Sequence, residues 1–149
     1  MRLTLNTDYS LRVLIYLAAH RNKLVTITEL SEFYKISRNH LIHVVHELGR
    51  SGYILTMRGR HGGIRLALSP EEIIVGEVVR MTEPNLDLLE CFDPATDHCV
   101  VTNVCSLKAI FINARNHFIE ELDKYSLADI TKSTTKKLSS FKSIPVAVE

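Results

Sequence analysis

The chain has 149 residues, 46 % of them hydrophobic, and a formal net charge of +1. That length suits one domain or a small domain with an extension, and that hydrophobic share excludes general disorder. No run of eighteen apolar residues exists, which excludes a membrane-spanning helix.

The near-neutral total hides a division. Residues 1–68 hold ten Lys and Arg against four Asp and Glu, whereas residues 69–149 hold eight against thirteen. A basic half joined to an acidic half implies a surface for a polyanion beside a part with another task. Asp8 and Arg12 interrupt the opening where a secretory signal needs an apolar core. Three cysteines cannot all pair within one chain, so reduced thiols in the cytoplasm are expected.

In chain order, residues 8–20 carry Leu11, Leu14, Ile15 and Ala18 at helical spacing, with Thr7 or Asn6 as the cap and Asp8 in the first turn. VTITELSEF predicts a second helix starting at Thr28, with Leu30 and Phe33 facing inward. Lys35 and Ile36 form a tight connection, and Ser37 caps a third helix that Gly52 ends. Leu41, Val44, Val45 and Leu48 fall on one arc of that helix and pack inward. Asn39, His43, His46, Glu47 and Arg50 lie opposite, with Arg38 and His40 near its entry. Two short helices so joined, the second with a basic polar start, make a helix-turn-helix.

Tyr53, Ile54 and Leu55 predict one strand, and Ile64, Leu66 and Leu68 a second. RGRHGG between them makes the tip of a two-stranded wing. SPEE at 69–72 is expected to open a helical turn, and helix follows up to Pro84. Leu107, Ile110, Phe111, Ala114, Phe118, Leu122 and Tyr125 then repeat at helical spacing over about five turns, ~27 Å of axis. So small a domain has little core to cover that stripe, so a second copy is expected to do so. The Ser-, Thr- and Lys-rich end from Lys132 has little pattern.

All three cysteines lie in ECFDPATDHCVVTNVCSLKA, residues 90–109, spaced Cys91-x7-Cys99-x5-Cys105. This is not the Cys-x2-Cys pair of most structural zinc sites. A loop rich in Asp, Thr and Asn is a poor place to bury thiols for packing alone, although a free cysteine can be only a small buried hydrophobe. Three thiolates from one loop suit iron-sulfur or zinc. The fourth ligand stays open among His98, Asp97 and a group from another helix or subunit. His43 and His46 share a face but have no acidic or thiol neighbour to complete a metal site. No nucleotide loop or hydrolytic triad stands out, so no catalytic residue is assigned and no enzyme is expected.

With head, wing, loop and long helix in place, the chain resembles the winged-helix family of dimeric iron-sulfur transcription regulators that includes NsrR, IscR and RirA. The resemblance covers about residues 1–130. It rests on LTLNTDYSLRVLIYLA, SRNHLIHVVHELGRSGYI, RGRHGGIRLA and the three cysteines with the helix behind them. It is strongest toward the branch of NsrR, the nitric-oxide-responsive repressor, in which a cluster on three cysteines permits operator binding and reaction with nitric oxide releases the DNA.

The resemblance implies Cys91, Cys99 and Cys105 as cluster ligands, with Asp8 of the opposite subunit completing a [4Fe-4S] site in preference to [2Fe-2S]. The histidine that IscR-type members carry three residues after the last cysteine is Lys108 here. The seven-residue spacing of the first two cysteines is closer to RirA, so the alternative is a regulator of iron or cluster status.

The implied fold is mainly α with a small β-wing. Residues 1–84 form a winged helix-turn-helix, 85–106 a cluster loop, 107–130 a dimerisation helix and 131–149 a tail. As a homodimer it would read double-stranded operator DNA with an inverted repeat. Thr28 and Ser37 would meet phosphate, while Arg38, Asn39 and His40 would meet base edges. Arg60 would enter a minor groove, and Arg58 and His61 would touch phosphate or help hold the wing. A competing class is a structural or redox protein that uses the winged helix for protein contacts.

Overall fold

The computed structural model describes residues 2–132, so most of the expected tail, from 133 onward, lies outside the described residues. Helix α1 (Leu5–Ala19) begins earlier than the sequence implied, because Thr4 is the cap and accepts from the Thr7 amide. Neither Asn6 nor Thr7 has its side chain free for capping: Asn6 reaches Glu47 and Thr7 donates to Glu83.

Helix α2 (Ile27–Tyr34) likewise starts earlier than expected, with its cap two residues before Thr28. Thr26 caps it by accepting from the Glu29 amide. The cause is long-range: Val25 exchanges backbone hydrogen bonds of 3.0 and 2.8 Å with Ile64, holding the chain extended up to the cap. Leu30 is fully buried. Phe33, expected inward, is 37 % exposed and packs only edge-on against Tyr16 and Tyr34.

Lys35 turns the chain in the left-handed region at φ 56°, and Ser37 caps α3 (Arg38–Arg50) through the His40 amide. Leu41, Val44, Val45 and Leu48 are buried as their spacing required. Burying each such side chain contributes roughly 1.5–3 kcal/mol. The chain then enters β1 (Ile54–Met57), which pairs antiparallel with β2 (Gly63–Leu66) in the register Ile54 with Leu66 and Met57 with Gly63. Tyr53 precedes the first strand, and Leu68 lies past the second with 39 % exposure.

SPEE forms a turn rather than a helix start. The Glu72 amide donates to the Ser69 carbonyl, and the Ser69 amide donates to Glu72 Oε2. Helix α4 (Val75–Thr82) follows and stops before Pro84. The expected continuous helix over 107–130 is two helices, α5 (Ser106–Asp123) and α6 (Leu127–Thr131). Between them the Val75 amide donates to the Tyr125 carbonyl at 2.9 Å, and Ser126 caps the new helix in a reciprocal capping box. Tyr125 is therefore outside the long helix that its spacing extended.

Helix α6 folds back onto α1, so Leu127 joins Leu14, Leu17, Leu30, Leu41, Leu48, Ile73 and Val78 in one core. Among the described residues, no helix is long and apolar enough to cross a membrane.

Candidate nucleic-acid interface and cysteine loop

Helix α3 presents Arg38, Asn39, His40, His43 and His46 as an exposed row opposite its buried face. No acidic residue stands in its first turn, so no carboxylate offsets the positive end of its dipole. Such an end accepts an anion such as phosphate. The His40 ring lies 6.0 Å from the Tyr9 ring of α1. Thr28 is exposed one residue inside α2, and its side chain does not cap that helix.

In the wing, Arg58, Arg60 and His61 are all exposed between the two strands. Gly62 closes that turn by donating its amide to the Gly59 carbonyl at 3.0 Å. A Cβ at Gly62 would meet the Met57 carbonyl oxygen at 2.3 Å, so a side chain there would push the strands apart. Helix α3 and the wing are thus both basic on their exposed sides and carried by one core.

The cysteine loop leaves α4 at Glu83 and reaches α5 at Cys105. Cys91 is buried in a single 3-10 turn, Glu90–Phe92, while Cys99 and Cys105 are half-buried; all three are free thiols. Asp97 accepts from the Cys99 amide at 3.0 Å, and that bond together with neighbouring cations holds the carboxyl below its usual range. Cys105 occupies the cap position of α5, so the positive end of that helix adjoins its sulfur.

The donor set fits an iron-sulfur group, three soft thiols being what such clusters take. Yet among the described residues no three His, Cys, Asp or Glu side chains stand close enough together to hold a metal ion. Binding would have to draw the three sulfur atoms together.

Asp8 is paired within its own helix. Its carboxylate is engaged by Arg12, with Nη2 to Oδ2 at 2.8 Å, and Arg12 also lies over the Tyr34 ring at 5.9 Å. Tyr34 donates to the Arg12 carbonyl at 3.0 Å; burial pushes its hydroxyl up to about 12, with Arg12 opposing. Behind it, burial and a hydrogen bond to Glu29 push Tyr16 well above its usual value.

Two residues connect these parts: Glu83, which the sequence did not single out, and Asn6, which it offered only as a cap. Glu83, at the root of the cysteine loop, accepts from the Thr4 amide at 2.8 Å and from the hydroxyls of Thr4 and Thr7. Asn6 donates to Glu47 of α3 at 2.7 Å and to the Thr82 carbonyl at 3.3 Å. Their partners lie 41 to 79 positions away, and no local pattern marks such pairs.

A helix-turn-helix with a basic wing, followed by a thiol loop and a helix with an open apolar stripe, defines a DNA-binding transcription regulator rather than an enzyme. Residues 3–133 match the Rrf2 family, described as iron-dependent transcriptional regulators, and the chain belongs to that family.

Among its relatives, the HTH-type transcriptional regulator NsrR of Bacillus subtilis strain 168 is 50 % identical over 134 residues, 89 % of this chain and 92 % of the relative. The NsrR regulator of Bacillus licheniformis is 49 % identical over 131 residues, 87 % of this chain and 92 % of the relative. The oxidised form of Staphylococcus aureus CymR superposes with a TM-score of 0.71 at 25 % identity, covering 89 % of this chain and 97 % of that one. T. potens IscR superposes at 0.72 with 24 % identity, over 92 % and 90 %, and so supports the fold alone.

Proposed function

We propose that this regulator is a nitric-oxide-responsive repressor, acting as a homodimer on double-stranded operator DNA with an inverted repeat. Cys91, Cys99 and Cys105 would hold an iron-sulfur cluster, [4Fe-4S] in preference to [2Fe-2S]. The observation that carries the reading is the placement of three free thiols in the one segment that joins the DNA-reading head to α5. The NsrR-named relatives support nitric oxide as the signal.

When bound, the cluster supplies an iron centre with which nitric oxide reacts. The chain's own residues do the rest. Cys91 and Cys99 would hold the group from the loop, and Cys105 would hold it from the cap position of α5. Asp8 of a second copy would offer a carboxylate, a harder and more easily displaced ligand than a thiolate. Arg38, Asn39 and His40 would read base edges, with Ser37 and Thr28 at phosphate. Arg60 would enter a minor groove, flanked by Arg58 and His61.

The working division is residues 1–84 for the head, 85–106 for the loop and 107–130 for association. Leu107 and Ile110, 55 % and 62 % exposed on α5, supply an apolar face for the second copy. The Cys91–Cys99 spacing favours the second reading, a regulator answering to iron or cluster status.

The test is anaerobic purification with iron and sulfide analysis, then operator binding before and after stoichiometric nitric oxide. Loaded protein that binds and is released by nitric oxide is the expected result. Iron-free material whose affinity ignores replacement of all three cysteines would overturn the reading. Release on iron depletion but not by nitric oxide would select the second reading.

A further inference from the structure

One side chain joins three elements of the head. Asn6 sits in the first turn of α1, and its Nδ2 donates to Glu47 Oε2 in the last turn of α3 at 2.7 Å. The same nitrogen donates to the carbonyl of Thr82, the final residue of α4, at 3.3 Å. The next residue, Glu83, receives the Thr4 amide at 2.8 Å and the Thr4 hydroxyl at 3.1 Å, together with the Thr7 hydroxyl. Thr7 and Thr82 are buried, with their hydroxyl oxygens 2.8 Å apart. The cysteine loop starts immediately after this knot.

We infer that Asn6 is a positioning residue that fixes the reading helix against the root of the cysteine loop. The rest of the α3 interface is apolar, through Leu41, Val44, Val45 and Leu48. Apolar packing of that kind sets the angle between two helices only to within a scatter of about 15–20°. A hydrogen bond to a carboxylate is directional and stronger than a neutral one. A shift at Glu83 and Thr82 therefore reaches Glu47, and through it the row Arg38, Asn39 and His40, by way of a single amide. This inference rests on the loop being the sensing part, as proposed above.

The test exchanges the polarity of the bond. Asn6→Asp sets two carboxylates against each other. Adding Glu47→Gln lets the new amide donate to Asp at position 6, with side-chain lengths unchanged. Three proteins are compared: wild type, N6D and N6D/E47Q. The readouts are iron content, amide hydrogen exchange along α1 and α3, and the ratio of operator affinities before and after nitric oxide.

N6D is expected to keep its iron, to exchange faster over Leu41–Leu48, and to lose roughly fivefold or more of the affinity ratio. The double variant is expected to restore both to within about twofold of wild type. A wild-type ratio that N6D leaves intact, with exchange also unchanged, overturns the inference while the sensor reading stands.

If wild type shows no ratio at all, the sensor reading fails, and exchange alone decides the role of Asn6. Faster α3 exchange in N6D that N6D/E47Q reverses supports it, and unchanged exchange overturns it. Should N6D not fold, N6A provides the same comparison without the repulsion.

Discussion

Asp8 and Arg12 form a two-pronged ion pair across one turn of α1, with Arg12 Nη2 2.8 Å from Oδ2 and Nε 3.0 Å from Oδ1. Both side chains are more than 40 % exposed, and exposed pairs at this spacing contribute only about 0.3–0.5 kcal/mol. Asp8→Ala should therefore leave the urea midpoint of iron-free protein almost unchanged. In iron-loaded protein it should alter the decay of cluster absorbance on addition of nitric oxide. Identical decay and identical DNA release would remove Asp8 from the proposed scheme.

Arg60 stands exposed at the wing tip with no salt-bridge partner among the described residues. Arg60→Ala should weaken operator binding and reduce the slope of log affinity against log salt by about one, leaving iron content alone. Titrations at several salt concentrations check this; a superimposable set of isotherms rejects the wing contact.

Gly76 lets α4 and α5 approach closely. A Cβ there would lie 2.0 Å from Asp123 Oδ1, the oxygen that receives Arg80 at 2.8 Å. Gly76→Ala must displace that pair and should cost about 1–3 kcal/mol in urea unfolding. Combining it with Asp123→Ala should cost less than the two separate losses, because the second change removes the obstacle. Strict additivity would place the strain elsewhere.

Alkaline stability should fall earlier than for a protein with solvated tyrosines. Tyr34 ordinarily titrates near 10.0 and is pushed up to about 12 by burial, so the unfolded chain gives up this proton first. Its contribution is complete below pH 10 and is lost as pH rises toward 12. Tyr16 and Tyr53 shift in the same direction. Melting curves between about pH 10 and 12 should drop steadily, and Tyr34→Phe should flatten the slope. A slope equal to wild type would mean the ring is solvated.

Features set by near neighbours were legible in the sequence. Ser37 was read as a cap because a capping side chain and an inward arc at Leu41, Val44, Val45 and Leu48 agree on one start. Thr28 was misplaced because VTIT offers two capping threonines, and the choice falls to Thr26 through Val25 pairing with Ile64, thirty-nine positions away.

The stripe through Tyr125 ran too far for a similar reason. Its spacing stays helical, but the backbone there is claimed by Val75 and Ile74. Glu47 was assigned to the polar face of α3, yet it is half-buried and receives Asn6 of α1, a partner beyond any local pattern. The three thiols were visible as a group in sequence, whereas among the described residues no three His, Cys, Asp or Glu side chains stand close enough together to hold a metal ion.

The return of α6 onto α1 gives α5 one pinned end. Leu127 donates its amide to the Ile73 carbonyl at 2.7 Å and is 1 % exposed, whereas Cys105 at the far end is only half-buried. The 18-residue helix is thus a lever about 27 Å long with its pivot in the head. In the proposed dimer, a pull on the Cys105 sulfur would act at the far end of that lever, so a local tug would become a change of angle between the paired heads.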